Sequence, residues 1–156
     1  MTLIISVDDP RAEDVRALLA AHLAFAHEVT PEGHVHALEM DGLLEPTVTF
    51  FSVRRDGELV GIGALKQLDD GHGELKSMHV RQDLRRVGVG RALVEHLLVE
   101  ARARGYTRVS LETGAGPAFE AGQALYSACG FTVCPPFAQY WENPHSVCMT
   151  IELGIP

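Results

Sequence analysis

Five apolar residues, Leu93, Val94, Leu97, Leu98 and Ala101, recur at helical spacing between two runs of strand character, "ELKSMHV" at 74–80 and "TRVSLET" at 107–113. That spacing buries one stripe of a helix, and a helix joining two strands of one sheet makes them parallel through a right-handed crossover. Arg102 and Arg104 fall near the helix end, where cations meet the carbonyl pole of the dipole, and Gly105 suits the C-cap. Upstream, "TVTFFSV" (47–53) and "ELVGIGALK" (58–66) flank the turn signal "RRDG" and form a hairpin. "DDGHG" then turns the chain into 74–80, which completes an antiparallel meander. A parallel pair appended to a meander predicts an α+β fold on a mixed, mostly antiparallel sheet.

The flanks extend this frame. "TLIIS" (2–6) reads as a strand, and Asp8, Asp9 and Pro10 signal a helix start before Val15, Leu18, Leu19, Leu23 and Ala26, which share one face up to about His27. Pro31 can open a short second helix that stops near Asp41 and Gly42. "PAFEAGQALYSACGF" reads as a helix capped at Gly130, with Ala118, Ala121, Leu125 and Ala128 as its buried stripe, and "SVCMTIEL" (146–153) as a closing strand. With 156 residues, 46% of them hydrophobic, a single domain over 1–156 is expected.

A formal charge of -8 repels polyanions, so neither DNA nor RNA is an expected partner. Residues 81–108, however, carry 3 acids and 7 bases. That positive pole is too small to track a duplex and suits a ligand with two or three phosphates. No apolar run approaches the ~18 residues of a membrane span, and "MTLIISVDDPRAED" lacks the features of a signal peptide, so a cytoplasmic address is expected. Cys129, Cys134 and Cys148 show no CxxC spacing and read as buried free thiols.

"RQDLRRVGVGRALVEHLL" at 81–98 places Gly88 and Gly90 where the crossover helix begins. The first helical amides have no internal partner, and glycines let a backbone approach a phosphate, so the loop reads as a pyrophosphate cradle. A Walker loop would need GK[ST], which is absent. A Rossmann fingerprint would need a glycine where Leu93 stands, and would follow its strand directly rather than after eight residues, although Glu112 lies near the distance of a ribose-binding acid.

"RRVGVG" at Arg85 to Gly90 resembles the [Q/R]xxGx[G/A] loop of the GNAT acyltransferase superfamily, and "ALYSACGF" at Ala124 to Phe131 resembles its "LYxxxGF" helix end. "ELKSMHV" followed by "SLETG" is similar to a subgroup of small bacterial members, and the resemblance covers about residues 45–153. It implies a splayed sheet between 74–80 and 107–113 and acetyl-CoA as the acyl-donor substrate. The pyrophosphate would meet the amides of Arg86, Val87, Gly88, Val89 and Gly90, flanked by Arg85 and Arg91, and the pantetheine would meet the backbone of Met78, His79 and Val80. Phe119 stands where many members carry an asparagine.

Acyl transfer to an amine needs a neutral nucleophile, a donor aimed at the thioester oxygen and a proton source for the departing thiolate. Tyr126, on the flank of its helix with Phe119 and Gln123, is the expected acid. Glu74 and Glu112 are both plausible bases, and Glu74 is placed ahead because the resemblance puts a carboxylate at a similar register. Lys76, two residues away on the same strand face, can pair with Glu74 and lower its basicity. A strand amide near His79 or Val80 would polarise the carbonyl, as the resemblance implies. His34 and His36 beside Glu32 lack a third spaced ligand, so no metal is expected. His27, Thr30, Glu32 and His34 are expected instead to contact substrate, because the resemblance builds the acceptor pocket from the first two helices. The expected activity is N-acetyl transfer from acetyl-CoA to a small-molecule amine by direct attack in a ternary complex, with a homodimer left open. A dinucleotide-binding oxidoreductase and a non-catalytic acyl-CoA-binding module are the alternatives.

Overall fold

The computed structural model describes residues 2–31, 40–85 and 87–154. Strand β1 (Leu3–Val7) leads into helix α1 (Glu13–Val29), and a four-residue helix α2 (Met40–Leu43) precedes β2 (Val48–Arg55), β3 (Glu58–Asp69) and β4 (His72–Val80). Helix α3 (Val89–Ala103), β5 (Arg108–Gly114), α4 (Glu120–Ala128), β6 (Thr132–Cys134) and β7 (Ser146–Glu152) complete the chain. The strands form one sheet in the order β1-β2-β3-β4-β5-β7-β6, and β4–β5 is its parallel pair. The expected α+β fold with a meander and one crossover is therefore the architecture observed. Among the described residues, no helix is long and apolar enough to cross a membrane.

Each face of the sheet has its own core. Val89, Leu93, Val94, Leu97, Leu98 and Ala101 of α3 are buried and pack with Val53, Leu65, Leu75, Val109 and Leu111 from the strands. Each of the buried Val and Leu side chains contributes about 1.5–3 kcal/mol of burial free energy. Gly105 follows α3 in the left-handed conformation, φ +82°, which a glycine adopts without a Cβ penalty. On the opposite face Val15 and Leu19 of α1 pack with Leu43, Phe50, Ile62 and Ala64. Helix α1 starts later than the Asp8-Asp9-Pro10 signal suggests, because Asp8 is drawn to the sheet: its Oδ2 accepts from Ser52 Oγ at 2.6 Å and from Arg54 at 3.2 Å.

Two details position the cleft. First, β4 carries a bulge: its register with β3 slips between Ile62↔His79 and Ala64↔Lys76, and Ser77 takes φ +55°. A bulge bends and twists its strand. The β4–β5 ladder runs only from His72↔Arg108 to Leu75↔Leu111, so beyond the bulge the two strands share no pairing. Gly63 makes the bulge feasible, since a Cβ there would lie 2.6 Å from Met78 Sδ and 3.1 Å from Leu93 Cδ2. Second, α4 does not bury the stripe expected for it. Ala118, Ala121 and Ala128 are exposed, and the helix instead leans on the core through Leu125, Tyr126 and Cys129. Its neighbour across the gap is the open half of the sheet, so Ala118 and Ala121 border a cleft rather than a packed layer.

Candidate functional site

Helix α3 begins at Gly88, which takes φ +91°, has no side-chain cap and is followed by no acid in the first turn. Its first intrahelical bond runs from Ala92 N to Gly88 O at 3.0 Å. The amides of Val89, Gly90 and Arg91 therefore have no acceptor inside the helix, and they carry the positive end of its dipole. The two glycines have different duties. A Cβ on Gly88 would meet nothing within 4 Å, whereas one on Gly90 would lie 3.0 Å from Leu125 Cδ2 and 3.6 Å from Val80 Cγ2. Gly90 thus also serves the close approach of α3 to α4. Gly90→Val should cost roughly 1–3 kcal/mol by overpacking, read as the urea midpoint. Gly88→Val should weaken anion binding at the helix start, read by calorimetry, because the branched side chain disfavours φ above zero.

Around this helix end, Arg85 Nε donates to Val80 O at 3.3 Å and Arg91 pairs with Glu95 at 2.9 Å. Arg85, Gly88, Gly90 and Arg91 line a cavity of about 600 Å³ that runs into the splay between β4 and β5. Val87 lies outside it at 48% exposure, and Val89 buries its side chain in the core, so either can offer only its backbone. Arg86 lies outside the described residues. Met78, Val80, Leu125 and Tyr126 form the wall on the α3–α4 side, and Met78 and Val80 also rest on the core. The Tyr126 ring stands edge-on to Phe131, at 5.9 Å between centroids, and burial pushes its phenol up to about 12.

The α1 side of the same cavity is polar. Glu74 is 1% exposed, and its Oε2 accepts from Tyr140 OH at 2.5 Å and from Lys76 Nζ at 3.3 Å. Lys76 Nζ also donates to the Tyr140 oxygen at 2.7 Å. Glu112 lies on β5 just past the last paired residue, and its Oε2 accepts from Ser146 Oγ at 2.7 Å. Burial pushes the Glu112 carboxyl up to about 7, against the pull of the Ser146 hydrogen bond and the Lys76 cation, with Glu74 adding a small push upward. The two carboxylates thus differ: Glu74 is locked in an ion pair, and Glu112 titrates near neutrality.

Across the cleft His22 of α1 meets His79 of β4, Nδ1 to Nδ1 at 3.3 Å, and burial pushes both imidazoles down to about 4. Thr30 lines the cavity, whereas His27 is exposed and not among its lining residues. Glu32 and His34 lie outside the described residues, as does His36. His22, Phe25 and Tyr140 are cavity residues that the sequence reading did not assign. His22 was legible, because Val15, Leu19, His22 and Ala26 share one helical face. Tyr140 was not, since it reaches Glu74 across 66 positions from a loop without periodicity. Among the described residues no group of three or more metal-ligating side chains occurs.

Comparison with known proteins places this geometry. The model of the GNAT acetyltransferase family matches residues 14–131. YsnE of Bacillus subtilis strain 168, named as an uncharacterized N-acetyltransferase, is 43% identical over 149 residues, which is 96% of this chain and 99% of that protein. YedL of Escherichia coli K12, named likewise, is 44% identical over 149 residues, 96% of this chain and 94% of that one. A crystal structure of a GNAT family acetyltransferase from Elizabethkingia anophelis with acetyl-CoA bound superposes with a TM-score of 0.71 at 19% identity, covering 97% of this chain and 98% of the other.

Proposed function

The chain belongs to the GNAT family as an acetyl-CoA-dependent N-acetyltransferase, and from that premise we propose that it acetylates a small-molecule amine, which enters from the α1 side while acetyl-CoA enters from the α3–α4 side. The observation that carries this reading is Glu112: a carboxylate poised near neutrality stands on the α1 side of the point where β4 and β5 part.

The donor fits the residues present. The uncapped amides of Val89, Gly90 and Arg91 take the pyrophosphate, and Arg85 and Arg91 add charge at the same cavity rim. Beyond the bulge β4 has no partner on its β5 side, so backbone groups of Met78, His79 and Val80 are available to the pantetheine and to the thioester oxygen. The acceptor arrives as an ammonium and gives its proton to Glu112. Its lone pair then attacks the thioester carbonyl, the N–C bond forms, and the C–S bond breaks as the carbonyl reforms. The leaving thiolate takes a proton from Tyr126, the surplus proton on the new amide nitrogen passes to the Tyr126 phenolate, Glu112 releases its proton to solvent, and no covalent acyl-enzyme is required. Holding both substrates in one cavity turns the transfer into an effectively unimolecular step. Three free cysteines and the absence of any membrane-length helix among the described residues favour a cytoplasmic setting.

Acetyl-CoA should raise the melting temperature, since a ligand that binds only the native state stabilises it by about 2.7 kcal/mol at a hundred times its Kd. EDTA should leave the transition where it is, and NAD should not shift it. A thermal shift with NAD and none with acetyl-CoA would overturn the assignment. A screen for acetyl-CoA-dependent CoA release across amines, amino acids, aminoglycosides and peptides identifies the acceptor.

A further inference from the structure

The last pairs of the parallel ladder are Glu74↔Ser110 and Leu75↔Leu111. Leu75 and Leu111 point into the α3-side core, so the next residues, Lys76 and Glu112, both face the α1 side at the point where the strands begin to part. Lys76 does not snorkel to water as lysines at a surface do. Its side chain is 5% exposed, and its ammonium donates to the Tyr140 oxygen at 2.7 Å and to Glu74 Oε2 at 3.3 Å. Tyr140 in turn donates to the same carboxylate oxygen. The loop before β7 thereby fixes a flexible cation in one place.

We propose that Lys76 is a positioning residue for Glu112: the Tyr140–Glu74 clamp holds its ammonium beside the carboxylate that receives the proton of the acceptor amine. The inference rests on Glu112 being that proton acceptor. From β7, Ser146 bonds to Glu112 and Cys148 stands opposite it in register. From β4 come Glu74 and Lys76, from the loop Tyr140 and His145, and from α1 His22, all of which line the same cavity. Among these described residues Lys76 is the lysine. Burial holds the Glu112 carboxyl high, and the Ser146 hydrogen bond and Lys76 both pull it down, so Lys76 raises the fraction of Glu112 that is ionised at neutral pH.

The test reads Glu112 directly and needs no acceptor. The side-chain carboxyl carbon of Glu112, assigned by its loss in Glu112→Gln, is followed by NMR in the full-length protein as pH is raised. The wild-type midpoint is expected at about 7, and Lys76→Met should raise it by up to about one unit, as expected on losing an opposite charge from the same side of the sheet. Lys76→Arg, which keeps the charge, should return it close to wild type. Because Lys76→Met strands the buried Glu74 carboxylate and can fail to fold, Glu74→Gln/Lys76→Met removes both charges together. There the midpoint should still rise, by less, since the repulsion from Glu74 is also gone. A midpoint that stays at the wild-type pH in Lys76→Met, or in the double variant where the single one does not fold, overturns the proposal and leaves Lys76 a structural ion-pair partner. Undiminished turnover in Glu112→Gln would instead remove the base assignment, and it is read independently of the titration.

Discussion

Glu112→Gln is expected to lower acetyl transfer by about 10²- to 10⁴-fold near neutral pH, the range for loss of a positioned general base, while acetyl-CoA affinity stays unchanged. The substitution keeps side-chain volume, and the amide can still accept from Ser146, so the fold survives. Wild-type activity should rise with pH through about 7 as Glu112 ionises. The variant should lack that limb and recover part of its rate only at alkaline pH, where the amine loses its own proton. Both profiles are measured at saturating acetyl-CoA on the amine that the screen identifies. A Glu112→Gln profile that retains the wild-type limb would exclude Glu112 as the base.

Stability follows with a definite sign. The folded carboxyl of Glu112 lies above its unfolded value of about 4.3, so the native state holds this proton more tightly than the unfolded chain does. The resulting stabilisation is complete below the unfolded value and is lost as pH rises through about 7. Relative to wild type, Glu112→Gln should therefore melt higher at mildly alkaline pH than at mildly acidic pH. Glu74→Gln should behave otherwise, because it breaks a buried pair with Lys76 and its main cost falls on folding. The proposal thus ranks Glu112 ahead of Glu74, the opposite of the order that the resemblance suggests, because Lys76 and Tyr140 engage Glu74.

Tyr126→Phe should reduce turnover by about 10- to 1000-fold with donor affinity and fold intact, as expected when one positioned proton donor is removed. The ring keeps its edge-on contact with Phe131, so the hydroxyl is the only loss. With its phenol pushed up to about 12, Tyr126 stays protonated from about pH 7, where Glu112 ionises, up to about pH 12, and the proposed acid and base are set apart by their surroundings. Single-turnover kinetics separate this step from product release. An unchanged chemical rate would return Tyr126 to the role of a packing residue.

The path of the chain was legible because it depends on local signals. Leu93 to Ala101 carried a 3.6-residue period, the strand runs carried theirs, and Gly88 and Gly105 bracketed α3, so the meander, the crossover and the glycine-rich helix start could be read in order. The resemblance drew attention to Tyr126 on its helix flank and to Glu112 beside the splay. What only the tertiary structure decided arises between elements distant in sequence. The bulge at Ser77 exists because Gly63 on the neighbouring strand makes room for Met78. Strand β6 was not anticipated, since three edge residues carry too little pattern to register. The alanine stripe of α4 failed because periodicity names a face but not what lies across from it, and across from this face lies a cleft. The roles of Glu74 and Glu112 separated for the same reason. Both are strand glutamates facing the same cleft, and their partners, Tyr140 and Lys76 for Glu74 and Ser146 for Glu112, are brought to them by the fold at distances that hydrogen bonding feels but sequence spacing does not encode.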